Sequence, residues 1–507
     1  MSARSEPEAW AEPGHESART AKDGGSRILK NFSTLTVVKL ASDVFTFVLF
    51  VVLSRIFGQD GIGQYSFAMA VTGFFALFAD FGLYNLTIKE ASREDGSLAE
   101  AFGISLILRG LYSVLGLVLL WLVAGWLPIS EQGRTIVLLL GFYQFAYRLT
   151  YGMASFFVAK ERMGVAAGLE FALRSVTAIA GVGIALSGGG LVLAVSVLPA
   201  VASIEVLVAF ALAVRQFGAP RLRVSPAALI DTAKRALPYG LSGVLFQLQS
   251  RVDVFLIGLI LTEAAVGVYT AAFRVVFLLS FLTYYAGVAI FPAASKLFAD
   301  SPGRLQSLYR DASRLFVLLG VPAGAGVAVL APRLVPLIFG NGFAETVAVL
   351  QGLALLVVVT GAKNLLSFFL MACDGQLERV KCQWIAATAN VLLNLACIPL
   401  MGVMGAVVAV SLAEILLVGL LLAKLRSRIG TPEIGSRLVP AVLATACFAA
   451  PVAFMGTLPL LLIVPGAVIV YVAVLFGFRD VRRSELMYAV QWLRVRMAGN
   501  GASALPS

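Results

Sequence analysis

Runs of about 20 apolar residues recur along nearly the whole chain, separated by short polar segments, and an α-helix of that length crosses roughly 30 Å of hydrocarbon. The pattern predicts about fourteen such spans. They begin near Thr34, Gly63, Ala101, Thr135, Gly164, Gly189, Leu237, Ala264, Arg314, Glu345, Gln383, Gly405, Val439 and Leu458. The expectation is an all-α polytopic membrane protein. One span breaks its own pattern: in "SGVLFQLQSRVDVFLIGLIL", Ser242 to Leu261, the polar residues Gln247, Gln249, Arg251 and Asp253 interrupt the apolar run.

The pattern also repeats. "IGQYSFA" at 62–68 matches "VGVYTAA" at 266–272, "SFF" at 155–157 recurs at 367–369, and "GLVLAVS" at 190–196 recurs as "GAVVAVS" at 405–411. An even number of spans separates the copies, so the halves share orientation and form parallel repeats related by an axis along the membrane normal. The expected layout is a polar tail at 1–33, a first six-helix lobe at 34–215, a linker at 216–236, a second lobe at 237–428, two further spans within 439–479 and a tail at 480–507. Residues 1–26 carry no cleavable signal pattern and read as a disordered polar tail.

Composition agrees with this reading, since 59% hydrophobic residues and a mean hydropathy of +0.91 exceed what one water-soluble core can hide. Charge fixes orientation. Of 39 basic residues, about 29 fall in alternate segments such as "KLRSRIG" and "RDVRR", which places those segments and both termini in the cytoplasm. The net charge of +11 is therefore a topology signal, and no nucleic-acid partner is expected. Cys373, Cys382, Cys397 and Cys447 lack metal-ligand spacing and are expected as free thiols. No phosphate-binding "GxxxxGK[ST]" occurs, the one histidine is His15, and the outer loops are too short to hold a catalytic domain. Neither enzymatic activity, cofactor nor metal is expected.

The spans hold thirteen charges: Lys39, Arg109, Arg148, Arg174, Arg251, Arg274 and Lys363 with Asp43, Asp80, Glu170, Glu205, Asp253 and Glu414. Facing lipid, each would cost about 2.5–3.5 kcal/mol, so they must face each other or water. Helical spacing allows Lys39 to pair with Asp43 and Glu170 with Arg174 along single helices. Gln247 and Arg251 share one face of their helix, and Gln249 and Asp253 share another. Arg274 has no counter-charge three or four residues away, where Thr270, Ala271, Phe277 and Leu278 stand. Bases in a water-filled cavity suit an anionic cargo, with arginine well matched to phosphate. Asp253, with Asp43 second, is the candidate acid for ion coupling. The acidic Glu205 and Glu414 belong to no motif.

The stretches "LSRIFGQDGIGQYSFA", "ADFGL", "LPYGLSG", "RVDVFLIG", "VGVYTAAFR", "FPAASK" and "VLAPRLVPLIFGNGF" together resemble the polysaccharide biosynthesis flippases of the multidrug/oligosaccharidyl-lipid/polysaccharide exporter superfamily, over about 30 to 480. The resemblance implies two V-shaped six-helix lobes that carry an undecaprenyl-diphosphate-linked oligosaccharide from the inner to the outer leaflet of the plasma membrane by alternating access. It implies a lipid-linked oligosaccharide substrate within membrane lipid, and a polysaccharide polymerase or glycosyltransferases as partners. It assigns Lys39, Arg251 and Arg274 to the central cavity, where Arg174 joins them by its depth. Cation-coupled drug or metabolite antiporters and peptidoglycan-precursor flippases share the fold, and a membrane-embedded glycan polymerase or transferase is a third reading.

Overall fold

The computed structural model describes residues 15–92 and 98–431 and positions 442, 445 and 446. The expected spans at 439–456 and 458–478, the C-terminal tail and Cys447 lie outside the described residues. Among the described residues the regular structure is helical throughout. The helices are α1 (His15–Asp80), α2 (Leu83–Ala91), α3 (Leu98–Ala124), α4 (Glu131–Ala159), α5 (Met163–Leu186), α6 (Leu191–Phe217), α7 (Pro226–Ile260), α8 (Glu263–Asp300), α9 (Pro302–Phe339), a 3₁₀ turn η1 (Asn341–Phe343), α10 (Thr346–Ala372), α11 (Gln376–Met401) and α12 (Val403–Ile429). Nine of the described helical stretches are long and apolar enough to cross a membrane, ten if the bent α7 is counted. The chain is a multi-pass membrane protein. Helix α4, at 29 residues, is long enough to span but too polar to count among them.

Several helices outrun the apolar runs that announced them. The first begins at His15, inside the stretch expected to be a disordered tail, and α7 begins at Pro226, inside the expected linker. Once a helix has nucleated, each further residue adds a backbone hydrogen bond, so polar residues extend it past the hydrocarbon boundary. Inside α1 the backbone turns at Gly58, whose φ of 68° is open to glycine and costly for a β-carbon, and this kink divides α1 into two helices.

The described residues divide into two compact units. The first holds the residues up to Ile56 together with Ala68–Val244, and the second holds Phe57–Phe67 together with the residues from Leu245 onward. Helix α7 bends between Leu245 and Gln247, where the chain leaves the first unit for the second.

In the first unit a core of Phe102, Met153, Phe156, Phe157, Leu169, Ala209 and Ala213 joins α3, α4, α5 and α6. Within it lies a buried ion pair. Arg109, 2% exposed, donates from Nε at 3.1 Å and from Nη2 at 2.9 Å to Asp80 Oδ1 and from Nη1 to the Ser105 hydroxyl. The Tyr84 amide donates to the other Asp80 oxygen at 3.4 Å. Gly152 makes room for the guanidinium: a β-carbon there would sit 2.6 Å from Arg109 Cζ. Breaking such a pair from one side strands a buried charge, so Arg109→Met is expected to destabilise the protein by about 3–5 kcal/mol. The double change Arg109→Met with Asp80→Leu should recover much of that loss in detergent melting curves. A double variant as unstable as the single one would show that the pair is not the source.

In the second unit, residues of α8, α9, α10, α11 and α12 close around Tyr309, Leu366, Phe369, Leu370, Leu417 and Leu421. The segment 57–67 lies against α8 in a reciprocal crossing. A β-carbon on Gly63 would collide with the carbonyl of Glu263 and lie 3.1 Å from the Gly267 amide nitrogen; one on Gly267 would collide with the carbonyl of Gln59. Glu263 stands 204 places after Gln59, and Gly267 stands 204 places after Gly63. Each glycine therefore meets the repeat equivalent of the residue its own equivalent meets. The reciprocal contact falls in the register of the sequence repeat. Gln64 Nε2 donates to Glu263 Oε2 at 2.8 Å beside the crossing.

Candidate functional site

The first unit gathers four of the charges read from the sequence, in a different pairing from the one their spacing suggested. Arg174 on α5 donates from Nη1 to Asp43 Oδ1 at 2.8 Å and from Nη2 to Glu170 Oε1 at 2.8 Å. Lys39 Nζ reaches the same Glu170 oxygen at 3.4 Å. Glu170 and Arg174 do pair along their helix, as expected. Lys39 and Asp43 do not: one helix turn sets each opposite a partner on α5, and the charges cross-pair between α1 and α5. Thr46 accepts a further, 3.4 Å bond from Arg174 Nη1. Arg174 thus spends both terminal nitrogens on carboxylates, while Lys39, with 46% of its side chain exposed, is the open member of the network.

The second unit places Arg251 and Asp253 on α7 and Arg274 on α8. Asp253 is 3% exposed; its Oδ2 accepts the Tyr269 hydroxyl, and its Oδ1 has no hydrogen-bond partner among the described residues. Gln249, on the same face of the helix, donates to the Gln383 carbonyl at 3.4 Å. This face does bond to neighbouring helices. The opposite face is not uniformly open, because Gln247 is 8% exposed while Arg251 is half-buried. Arg274 is half-buried as well. Helices α7 and α8 are joined by two residues, and at 1.5 Å per residue Arg251 and Arg274 lie roughly 14 and 17 Å from that turn. Both arginines thus stand at similar depth, far enough along their helices to be near mid-span.

Two pairs absorb charges that the sequence left without a role or in an open role. Asp80 is neutralised by Arg109, and Lys363 Nζ meets Glu414 Oε1 at 2.8 Å. Glu205 on α6 is 6% exposed and neither of its carboxylate oxygens has a hydrogen-bond partner among the described residues. Cys373, Cys382 and Cys397 are free thiols. A cavity of about 240 Å³ in the first unit is lined by Thr87, Glu90, Ser105, Thr232 and Arg235 among others, and by none of the residues singled out for cargo. Among the described residues no three histidine, cysteine or acidic side chains are grouped to hold a metal ion.

The described residues form a polytopic helical fold with paired charges inside its spans. Two solved structures share this fold: the lipid II flippase MurJ in an inward closed conformation, at a TM-score of 0.75 and 13% identity over 88% of this chain and 99% of that one, and an inward-facing multidrug resistance MATE family transporter of the MOP superfamily, at 0.57 and 11% over 82% and 96%. The model of the polysaccharide biosynthesis protein family matches residues 28–298, just over half of the chain. The chain belongs to that family, and the resemblance drawn from its motifs is upheld. A relative from Haloferax volcanii, a probable low-salt glycan biosynthesis flippase, is 24% identical over 372 residues, 71% of this chain and 75% of its own length.

Proposed function

We propose that this protein flips a lipid-linked oligosaccharide, carried on undecaprenyl diphosphate, from the cytoplasmic to the outer leaflet of the plasma membrane by alternating access, with both termini in the cytoplasm. The observation that carries the reading is the α7–α8 hairpin of the second unit, which holds Arg251 and Arg274 half-buried at similar depth with Asp253 as the single acid of the three. A half-buried arginine pair suits a diphosphate, whose oxygens accept bidentate, charge-assisted hydrogen bonds from guanidinium groups. Lys39 is the open member of the first unit's network. Arg174 serves mainly to order that network, since both of its terminal nitrogens are engaged.

Coupling falls to Asp253 and not to Asp43, because Asp43 is ion-paired with Arg174 whereas Asp253 takes its side-chain hydrogen bond from the neutral Tyr269 hydroxyl. Transport that continues undiminished in Asp253→Asn across a range of proton gradients would remove that assignment. The function itself is tested in cells. In a strain lacking this chain, the oligosaccharide lipid should accumulate where a membrane-impermeant oxidant added from outside cannot reach its sugars, and restoring the chain should expose them. Equal exposure in both strains would refute flipping.

A further inference from the structure

The stretch "YQFAYRLTY" of α4 places Tyr143, Tyr147 and Tyr151 four residues apart, on one face of the helix. The three rings form a ladder with near-parallel planes: Tyr143 and Tyr147 have centroids 6.2 Å apart at 20°, and Tyr147 and Tyr151 have centroids 5.9 Å apart at 28°. Tyr84 from α2 stacks on Tyr151 at 3.9 Å and 12°. All four tyrosines are half-buried. From Tyr143 to Tyr151 the ladder runs roughly 12 Å, the length of two or three sugar rings. It is also part of what makes α4 too polar to count as an ordinary span.

An aromatic ladder at helical spacing is ordinarily core packing, and Tyr143 and Tyr147 do rest on Ala146, Leu173 and Ala202. What surrounds it is not core. Tyr147 lies within electrostatic reach of Glu170, Arg174, Arg148 and Glu205. In the same unit, Asp43 Oδ2, both oxygens of Glu205 and Nε of Arg148 are buried without hydrogen-bond partners among the described residues. Buried polar atoms are nearly always paired, and leaving them unpaired is costly. A hydroxyl-rich ligand would supply both the missing donors and the missing acceptor.

The charge balance narrows the ligand. Lys39 and Arg174 are already matched by Glu170 and Asp43, which leaves the cluster poorly suited to a diphosphate. A sugar ring presents C–H groups on its face and hydroxyls around its rim. The first suit the negative face of an aromatic ring, and the second suit carboxylates and guanidinium groups.

We propose that the Tyr143–Tyr147–Tyr151 ladder, with Tyr84, is a glycan-binding surface of the first unit that contacts the sugar rings of the cargo. The assignment rests on the flippase reading above. It makes Tyr143 and Tyr147 specificity-determining residues for the oligosaccharide.

The test uses the purified full chain and two probes: the oligosaccharide lipid extracted from a strain lacking this chain, and sugar-free undecaprenyl diphosphate. Tyr147→Leu should weaken binding of the extracted lipid about tenfold, the order expected for losing one aromatic stacking contact, and Tyr143→Leu with Tyr147→Leu should weaken it further. Tyr147→Phe, which keeps the ring, should stay within about threefold. Binding of the sugar-free lipid should change in none of them. Hydroxyl-radical footprinting of the wild type gives a reading independent of variant folding: the extracted lipid should protect Tyr143 and Tyr147, and the sugar-free lipid should not. Equal effects with both lipids, or protection by neither, would overturn the ladder assignment. A wild type that binds the extracted lipid no better than the sugar-free one would instead overturn the glycan cargo itself.

Discussion

Arg274→Ala is expected to abolish transport while the protein still accumulates in the membrane. Arg274 sits on α8 about 17 Å from the α7–α8 turn, half-buried, with no acid one turn away on its own helix. Its removal deletes a guanidinium from the proposed diphosphate site, and hydrogen bonds to charged groups are worth roughly 1.5–3 kcal/mol each. Two such bonds lost together correspond to a hundredfold or more in affinity. Arg274→Lys keeps the charge but not the planar fork, so it should restore transport only in part. Arg251→Ala should lower transport at least tenfold, with a modest fall in abundance, because Asp253 loses a nearby positive charge but keeps the Tyr269 hydroxyl. Complementation of a flippase-null strain, scored beside immunoblots of membrane fractions, measures both. Abundant and fully active alanine variants at the two positions would mean that these arginines only pack helices.

Replacing Gly267 or Gly63 with valine is expected to be as damaging, for a different reason. The atoms that a β-carbon would strike are backbone carbonyls on the facing helix, Gln59 and Glu263, and a carbonyl inside a helix cannot rotate aside. The helices would have to part, with overpacking costs of about 1–3 kcal/mol or more and loss of the close small-residue approach that binds helices in a bilayer. Because the crossing is reciprocal, the two substitutions should behave alike. Valine at Gly303, where a β-carbon would meet nothing within 4 Å, should be tolerated comparatively well. Fluorescence-detected size-exclusion profiles should show loss of the monodisperse peak for Gly63→Val and Gly267→Val alone. A normal profile and normal transport for both would contradict the close crossing.

Much of this architecture was legible before the structure, because a bilayer imposes one strong rule: an apolar run of sufficient length becomes a helix. The repeat was legible because its best-matching stretch contains Gly63 and Gly267, the glycines of the close crossing in the second unit. Helix ends were less so, since polar residues extend a nucleated helix at little cost, as at His15 and Pro226. The nine-residue α2 carries the mixed sequence "LYNLTIKEA" and no apolar run, so nothing in its hydropathy announced it. Spacing along one helix correctly paired Glu170 with Arg174 but misassigned Lys39 and Asp43, whose partners stand across an interhelical contact that no single-helix rule can see. The tyrosine ladder was present as a four-residue period in "YQFAYRLTY", yet its meaning depends on Tyr84 and Glu205, which come from other helices.

The measurement closest to the central claim is reconstitution. The purified protein in proteoliposomes containing radiolabelled undecaprenyl-diphosphate-linked oligosaccharide should move that lipid from one leaflet to the other, read as sugar newly accessible to an impermeant glycosidase or oxidant. Arg274→Ala proteoliposomes should match empty liposomes. Transfer at the empty-liposome rate by a folded wild type, or equal transfer by wild type and Arg274→Ala, would contradict the account.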